Sequence, residues 1–148
     1  MEVKELGHVV LYVRDVDVSR GFYGGVLGWH ELVAVPGQMA MFSSGRTHHE
    51  LLLIQVGADA TPIPQGRRVG MYHFGLKIGT TDDELRAAMT ELVDAGANVI
   101  GSGDHGVTHS LYITDPDGNE IELYIDVQPE VWREDPMAVM APVRPLHL

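Results

Sequence analysis

Along most of the chain, apolar and polar positions alternate in short runs, and two stretches with helical spacing interrupt them. Leu6-Gly7-His8-Val9-Val10-Leu11-Tyr12-Val13 is rich in β-branched and aromatic residues and reads as a strand closed by Arg14-Asp15. Phe22, Tyr23, Val26 and Leu27 then form one apolar helical stripe, with Asp17 or Ser19 as candidate caps, Gly28 as the stop, and Gly24-Gly25 weakening the last turn. Three short strands are expected around residues 31–35, 39–43 and 49–56. Residues 57–70 have no period and read as a linker. Beyond them the order repeats. Residues 72–78 resemble the first strand, and Thr81-Asp82-Asp83-Glu84 is a capping box. It opens a helix with Leu85, Ala88, Met89, Leu92 and Val93 on one face and Gly96 at its end. Strands are expected around 98–100, 109–114 and 120–127.

The pattern therefore predicts an α+β chain of two βαβββ modules, about 5–56 and 71–127, within one domain over 1–127. In the repeat, His8 falls on His73. The last two strands are joined by Asp115-Pro116-Asp117-Gly118, a turn with a side-chain cap, a fixed φ and a glycine exit. In Ile121-Glu122-Leu123-Tyr124, alternation sends Ile121 and Leu123 into an apolar layer and Glu122 and Tyr124 to the opposite face. A carboxylate there is either solvated or faces a cation. The tail, 128–148, carries Pro129, Pro136, Pro142 and Pro145 and is expected to be extended rather than helical. It is either a loosely packed terminus or a lid or dimer strap anchored by Trp132.

Composition narrows the chemistry. The 148 residues suffice for one ordinary core, and no run approaches the ~18 apolar residues of a membrane helix. Met1-Glu2-Val3-Lys4-Glu5 lacks the layout of a signal peptide, which gives a cytoplasmic expectation with no membrane partner. The net charge of −11 argues against nucleic acid. With no cysteine, any metal must rest on His and carboxylate ligands.

There are eight histidines. His8 and His73 stand at equivalent places in the repeat and Glu122 stands mid-strand. If the modules pair about a pseudo-two-fold axis, the three converge inside a curved mixed-sheet cup around a metal. Two histidines and one carboxylate with open positions suit Fe(II), leaving sites for substrate and dioxygen; Mn(II), Ni(II) and Zn(II) take the same ligands. His30, His48, His109 and His147 are assigned to surface or structural roles.

Leu6-Gly7-His8-Val9-Val10, Phe22-Tyr23, Val26-Leu27-Gly28, His48-His49-Glu50-Leu51, Tyr72-His73-Phe74 and Asp115-Pro116-Asp117-Gly118-Asn119-Glu120-Ile121-Glu122 together resemble the vicinal oxygen chelate superfamily, over nearly all of residues 6–126. Its members include glyoxalase I, extradiol dioxygenases, fosfomycin-resistance transferases, methylmalonyl-CoA epimerase and bleomycin-binding proteins, so the resemblance implies a fold more firmly than an activity. The finer likeness is to small two-module extradiol catechol dioxygenases. It implies His8, His73 and Glu122 as iron ligands, His49 as the acid/base near the oxygen site, His105 against the catecholate oxygen, and Tyr112 bonded to substrate. It also implies a small aromatic diol and dioxygen as substrates, and a homodimer or higher homo-oligomer.

Two other activities belong to the same superfamily. A glyoxalase I-like lyase or isomerase would use Glu50 as a fourth metal ligand. Adjacent residues of a regular strand face opposite ways, so His49 and Glu50 compete for the cavity; His105 and Tyr112 favour His49. A metal-free protein binding an aromatic drug would need no His8, His73 and Glu122 set.

Overall fold

Two four-stranded sheets follow from the repeated alternation, each built as a strand, a helical segment and three further strands. The computed structural model describes residues 1–148. In the first half the strands are β1 (Val9–Val13), β2 (Glu31–Val35), β3 (Met39–Phe42) and β4 (Leu51–Gln55), ordered β1-β4-β3-β2. In the second they are β5 (His73–Gly79), β6 (Asn98–Asp104), β7 (Thr108–Thr114) and β8 (Glu120–Asp126), ordered β5-β8-β7-β6. The first strand of each half pairs parallel with the last, and the other pairings are antiparallel. The chain divides into two compact units, Met1–Ile63 and Pro64–Leu148, with the division inside the aperiodic stretch between β4 and β5. This is the α+β architecture expected from the sequence.

Each unit buries one face of its sheet. In the first, Leu11, Val13, Ala40, Phe42, Leu51 and Leu53 pack with Val16, Phe22 and Tyr23. In the second, Leu111, Ile113, Ile121, Leu123 and Ile125 are buried with Leu85 and Leu92 of α2 (Asp82–Asp94). Burial of such side chains stabilises by about 1.5–3 kcal/mol each.

The helical segments differ from expectation in three places. In the first unit the cap is Asp15, whose carboxylate accepts from the Asp17 and Val18 N–H groups, and neither Asp17 nor Ser19 caps α1 (Val16–Arg20). A π-helical turn, Gly21–Val26, continues it, where three glycines leave the backbone free to widen. In α2 the Thr81–Glu84 capping box forms and Gly96 takes a positive φ at the end, but Val93 is exposed and does not share the buried face.

The tail is the third correction. Its first part is helical rather than extended, because Pro129 opens α3 (Pro129–Glu134) and Pro136 opens a 3-10 turn over Pro136–Met140, while no helix follows Met140. Proline needs no N–H in a first turn, so both prolines start helical structure here. No helix is long and apolar enough to cross a membrane.

Candidate active site

The polar face of the second sheet carries a cavity of about 440 Å³. It is lined by His73, His105, Tyr112, Glu122 and Tyr124, and by Trp132 and Val139 of the tail among others. Register explains the gathering. Tyr112 lies opposite Glu122, and Ser110 opposite Tyr124, on the antiparallel β7–β8 pair, while Gly75 of β5 lies beside Glu122. All of these point away from the face that buries Ile121 and Leu123, as alternation requires. A Cβ on Gly75 would stand 3.3 Å from the Tyr124 ring and 3.6 Å from Glu122 Oε2, so glycine there leaves room for both side chains. The turn that leads into β8, the strand of Glu122, is fixed by Asp115, whose buried carboxylate accepts from the Asp117 and Asn119 N–H groups and the Asn119 amide.

Within the cavity, His73 Nε2 lies 3.3 Å from Glu122 Oε2, and His73 Nδ1 lies 3.5 Å from Glu120 Oε1 without a hydrogen bond. With the imidazole proton on Nδ1 toward Glu120, the Nε2 lone pair and the Glu122 carboxylate aim at one spot, an arrangement that a cation relieves. Two ligands at right angles with bonds of ~2.1 Å stand ~3 Å apart, so the pair fits a divalent metal in spacing and donor type. The other Glu122 oxygen, Oε1, accepts from the Ser110 hydroxyl at 2.7 Å and the Tyr112 hydroxyl at 3.2 Å.

Tyr112 in turn lies 2.8 Å from His105 Nε2. A hydroxyl that donates to Glu122 accepts from His105, giving a one-way chain from His105 through Tyr112 to Glu122. Burial first, then the Glu122 charge and hydrogen bond, push the Tyr112 phenol up to about 12. Tyr112 therefore keeps its proton at neutral pH. Tyr124 is raised as well, chiefly by burial and then by Asp126.

The remaining predicted residues belong to the first unit. His8 precedes β1, and its ring lies 4.5 Å from that of His49, which is 4.4 Å from His48. His49 Nε2 is buried with no hydrogen-bond partner, and its Nδ1 lies 2.6 Å from His48 Nδ1. Burial, then the charges of His48 and His8, hold the His49 pKa below its usual value. Glu50 faces its own loop. It accepts from the Ser44 N–H and hydroxyl and from Arg46, and these contacts outweigh burial to keep its pKa low.

His109, assigned a structural role, lies on the face opposite the cavity, 2.6 Å from Asp82 at the start of α2. Neither unit by itself groups three His, Asp or Glu side chains as a complete metal site; the second unit supplies the adjacent pair His73 and Glu122. Sequence reasoning passed over Ser110, Gly75 and Asp104. Strand parity with Glu122 could have found Ser110, because the predicted turn at Asp115–Gly118 sets the register of β7 on β8.

Fold and residues together define a βαβββ-repeat protein with an imidazole–carboxylate pair on an open sheet face. Residues 5–123 match the model of the Glyoxalase/Bleomycin resistance protein/Dioxygenase superfamily, and the chain belongs to that family. It is 33% identical to a catechol-2,3-dioxygenase of Bacillus subtilis (strain 168) over 90% of this chain and 46% of that protein. It is 32% identical to biphenyl-2,3-diol 1,2-dioxygenase 3 of Rhodococcus globerulus over 82% of this chain and 63% of that protein. The chain thus spans roughly half to two thirds of the length of these curated relatives. Among solved structures, a lactoylglutathione lyase from Agrobacterium tumefaciens aligns with a TM-score of 0.65 at 28% identity, covering 89% of this chain and 98% of that one.

Proposed function

We propose that this chain is an extradiol ring-cleaving dioxygenase that acts on a catechol-type diol with dioxygen and uses Fe(II). The observation that carries the reading is the His105–Tyr112–Glu122 chain beside His73 in one cavity, since a lyase has no need of a His–Tyr donor pair next to its metal ligands. Glu50 supports it too, because its carboxylate is already engaged by Ser44 and Arg46 and is poorly placed to serve as a fourth ligand. In this reading His73 and Glu122 are two ligands, and His8, which falls on His73 in the repeat, is the third. The working form is a homodimer or higher homo-oligomer.

The iron supplies a Lewis acid and an electron relay between diol and dioxygen. Everything else falls to side chains. Tyr112 stays protonated and turns its single O–H from Glu122 to a ring oxygen as negative charge gathers there, and His105 donates to Tyr112 and holds it in place. His49, kept neutral by burial, has a free lone pair to take a diol proton and can return it later as an acid. The Ser110 hydroxyl, which donates to the same carboxylate oxygen, keeps Glu122 oriented when Tyr112 turns to the substrate.

Anaerobic loading with Fe(II), followed by catechol and air, tests the reading through the yellow ring-fission product. Its appearance is the expected result. Absence of the product, together with turnover of the methylglyoxal–glutathione hemithioacetal on Ni(II) or Zn(II), would overturn it in favour of a lyase.

A further inference from the structure

The tail supplies part of the cavity wall. Trp132 and Val139 line it together with Val107, while His73, His105, Tyr112 and Glu122 supply polar groups. Trp132 sits on α3, which leaves β8 through two bonds to one carbonyl, from the Val127 and Gln128 N–H groups to Val107. The far end of the tail is tied back to β6. The Asp104 N–H donates to the Arg144 carbonyl at 3.0 Å, the Arg144 N–H to the Asp104 carbonyl at 2.9 Å, and the Arg144 guanidinium lies 3.0 Å from the Asp104 carboxylate. Next to this bridge, a Cβ on Gly103 would fall 2.9 Å from a Val143 methyl and 3.3 Å from His105 Nε2. Glycine at 103 is what lets the tail and His105 occupy the same corner.

Resting on the extradiol reading, we infer that Trp132 is the specificity-determining residue of this cavity: its indole is the wall against which the ring substituent of the diol packs. The bridge at Asp104 and Arg144 holds that wall shut. An aromatic face offers area and a ring-stacking partner at little conformational cost, and it stands in the same cavity as the donors that hold the diol oxygens. Substituents on the ring therefore meet Trp132, whereas unsubstituted catechol depends mainly on the polar groups. The bridge is two main-chain hydrogen bonds and one guanidinium contact, weak compared with a full strand pairing, so the wall can open for entry.

The sequence has two tryptophans, so Trp29→Phe leaves Trp132 as the sole indole emitter. The iron-loaded Trp29→Phe protein, kept anaerobic, is titrated with 4-nitrocatechol, and its emission should quench saturably. In aerobic assays Trp132→Ala should raise KM for 4-phenylcatechol by about tenfold or more, while that for catechol moves less than about threefold. Trp132→Phe should recover most of the loss. Equal effects on both diols, or cleavage without quenching, would overturn the inference and leave the extradiol reading standing. Saturable quenching in a protein that cleaves no diol would remove the extradiol reading while supporting Trp132 as the ring-facing wall. Neither quenching nor cleavage would overturn both.

Discussion

β4 and β8 hold the same place in their sheets, each between a parallel first strand and an antiparallel neighbour. Yet Leu51-Leu52-Leu53-Ile54 is apolar on both faces, while Glu120, Glu122, Tyr124 and Asp126 alternate with buried Ile121, Leu123 and Ile125. The first unit keeps its chemistry just ahead of the strand, at His49 and Glu50, and the second puts it on the strand. The buried face is held to one pattern in both copies because the core requires it. The opposite face carries no such demand, and there the copies have diverged.

That contrast breaks most sharply at two glutamates. On the extradiol reading, Glu122→Gln should remove a metal ligand, whereas Glu50→Gln should disturb only the loop at Ser44 and Arg46. Changes one shell out from a metal already cost ~10–100-fold. Loss of Glu122 should therefore lower ring cleavage and bound iron by on the order of 100-fold or more, and loss of Glu50 should leave iron content near that of the parent. Iron analysis beside the cleavage assay reads both. Loss of iron from Glu50→Gln would instead place the first unit's glutamate among the ligands.

On the buried faces the copies should behave alike. Leu53 and Leu123 are both fully or nearly buried at the centre of their sheets. Leu53→Ala and Leu123→Ala should each cost about 2–5 kcal/mol in urea unfolding. A cost confined to one of them would show that the two cores do not contribute equally. A smaller effect is expected from Tyr112→Phe. It removes the hydroxyl between His105 and Glu122 and should lower kcat about 10- to 100-fold, as expected for a hydrogen bond to a charged group. Protein-bound iron should persist.

The same division explains what could be read from residues alone. Strand order, the repeat, the Thr81–Glu84 box and the inward set Ile121 and Leu123 follow from periodicity, because one face must be buried. The Pro-rich tail misled, since proline content argues against helix interiors but not against the first turns that Pro129 and Pro136 occupy. Asp15 lost the cap to Asp17 and Ser19 in the sequence reading because it was counted with Arg14 as the close of the strand, whereas the helix starts at Val16, ahead of the apolar stripe at Phe22 and Tyr23. The tail wall of the cavity depends on Gly103 accommodating Val143, a contact between distant residues with no local signature. His105 and Tyr112 were legible only through resemblance, as nothing in their spacing announces a shared hydrogen bond.

The smallest expected effect compares the two helix starts. At α2, Glu84 Oε2 accepts from the Thr80 and Thr81 N–H groups and the Thr81 hydroxyl. Gly79 is close enough that a Cβ there would collide with the same carboxylate. The Thr80 N–H, and then the Thr81 hydroxyl, hold the Glu84 pKa below its usual value against the pull of burial. A carboxyl with a depressed folded-state pKa contributes stability that is fully present above its unfolded value. That contribution is lost as pH falls through the folded value. Between about pH 5 and 3, on either side of an ordinary glutamate pKa of ~4.3, the parent should therefore lose more thermal stability than Glu84→Gln. At neutral pH the parent should be the more stable of the two. The first unit has no such box, because Asp15 caps α1 alone. Melting curves at several pH values check this, and parallel acid limbs for the parent and Glu84→Gln would show that the capping box carries no pH-dependent stability.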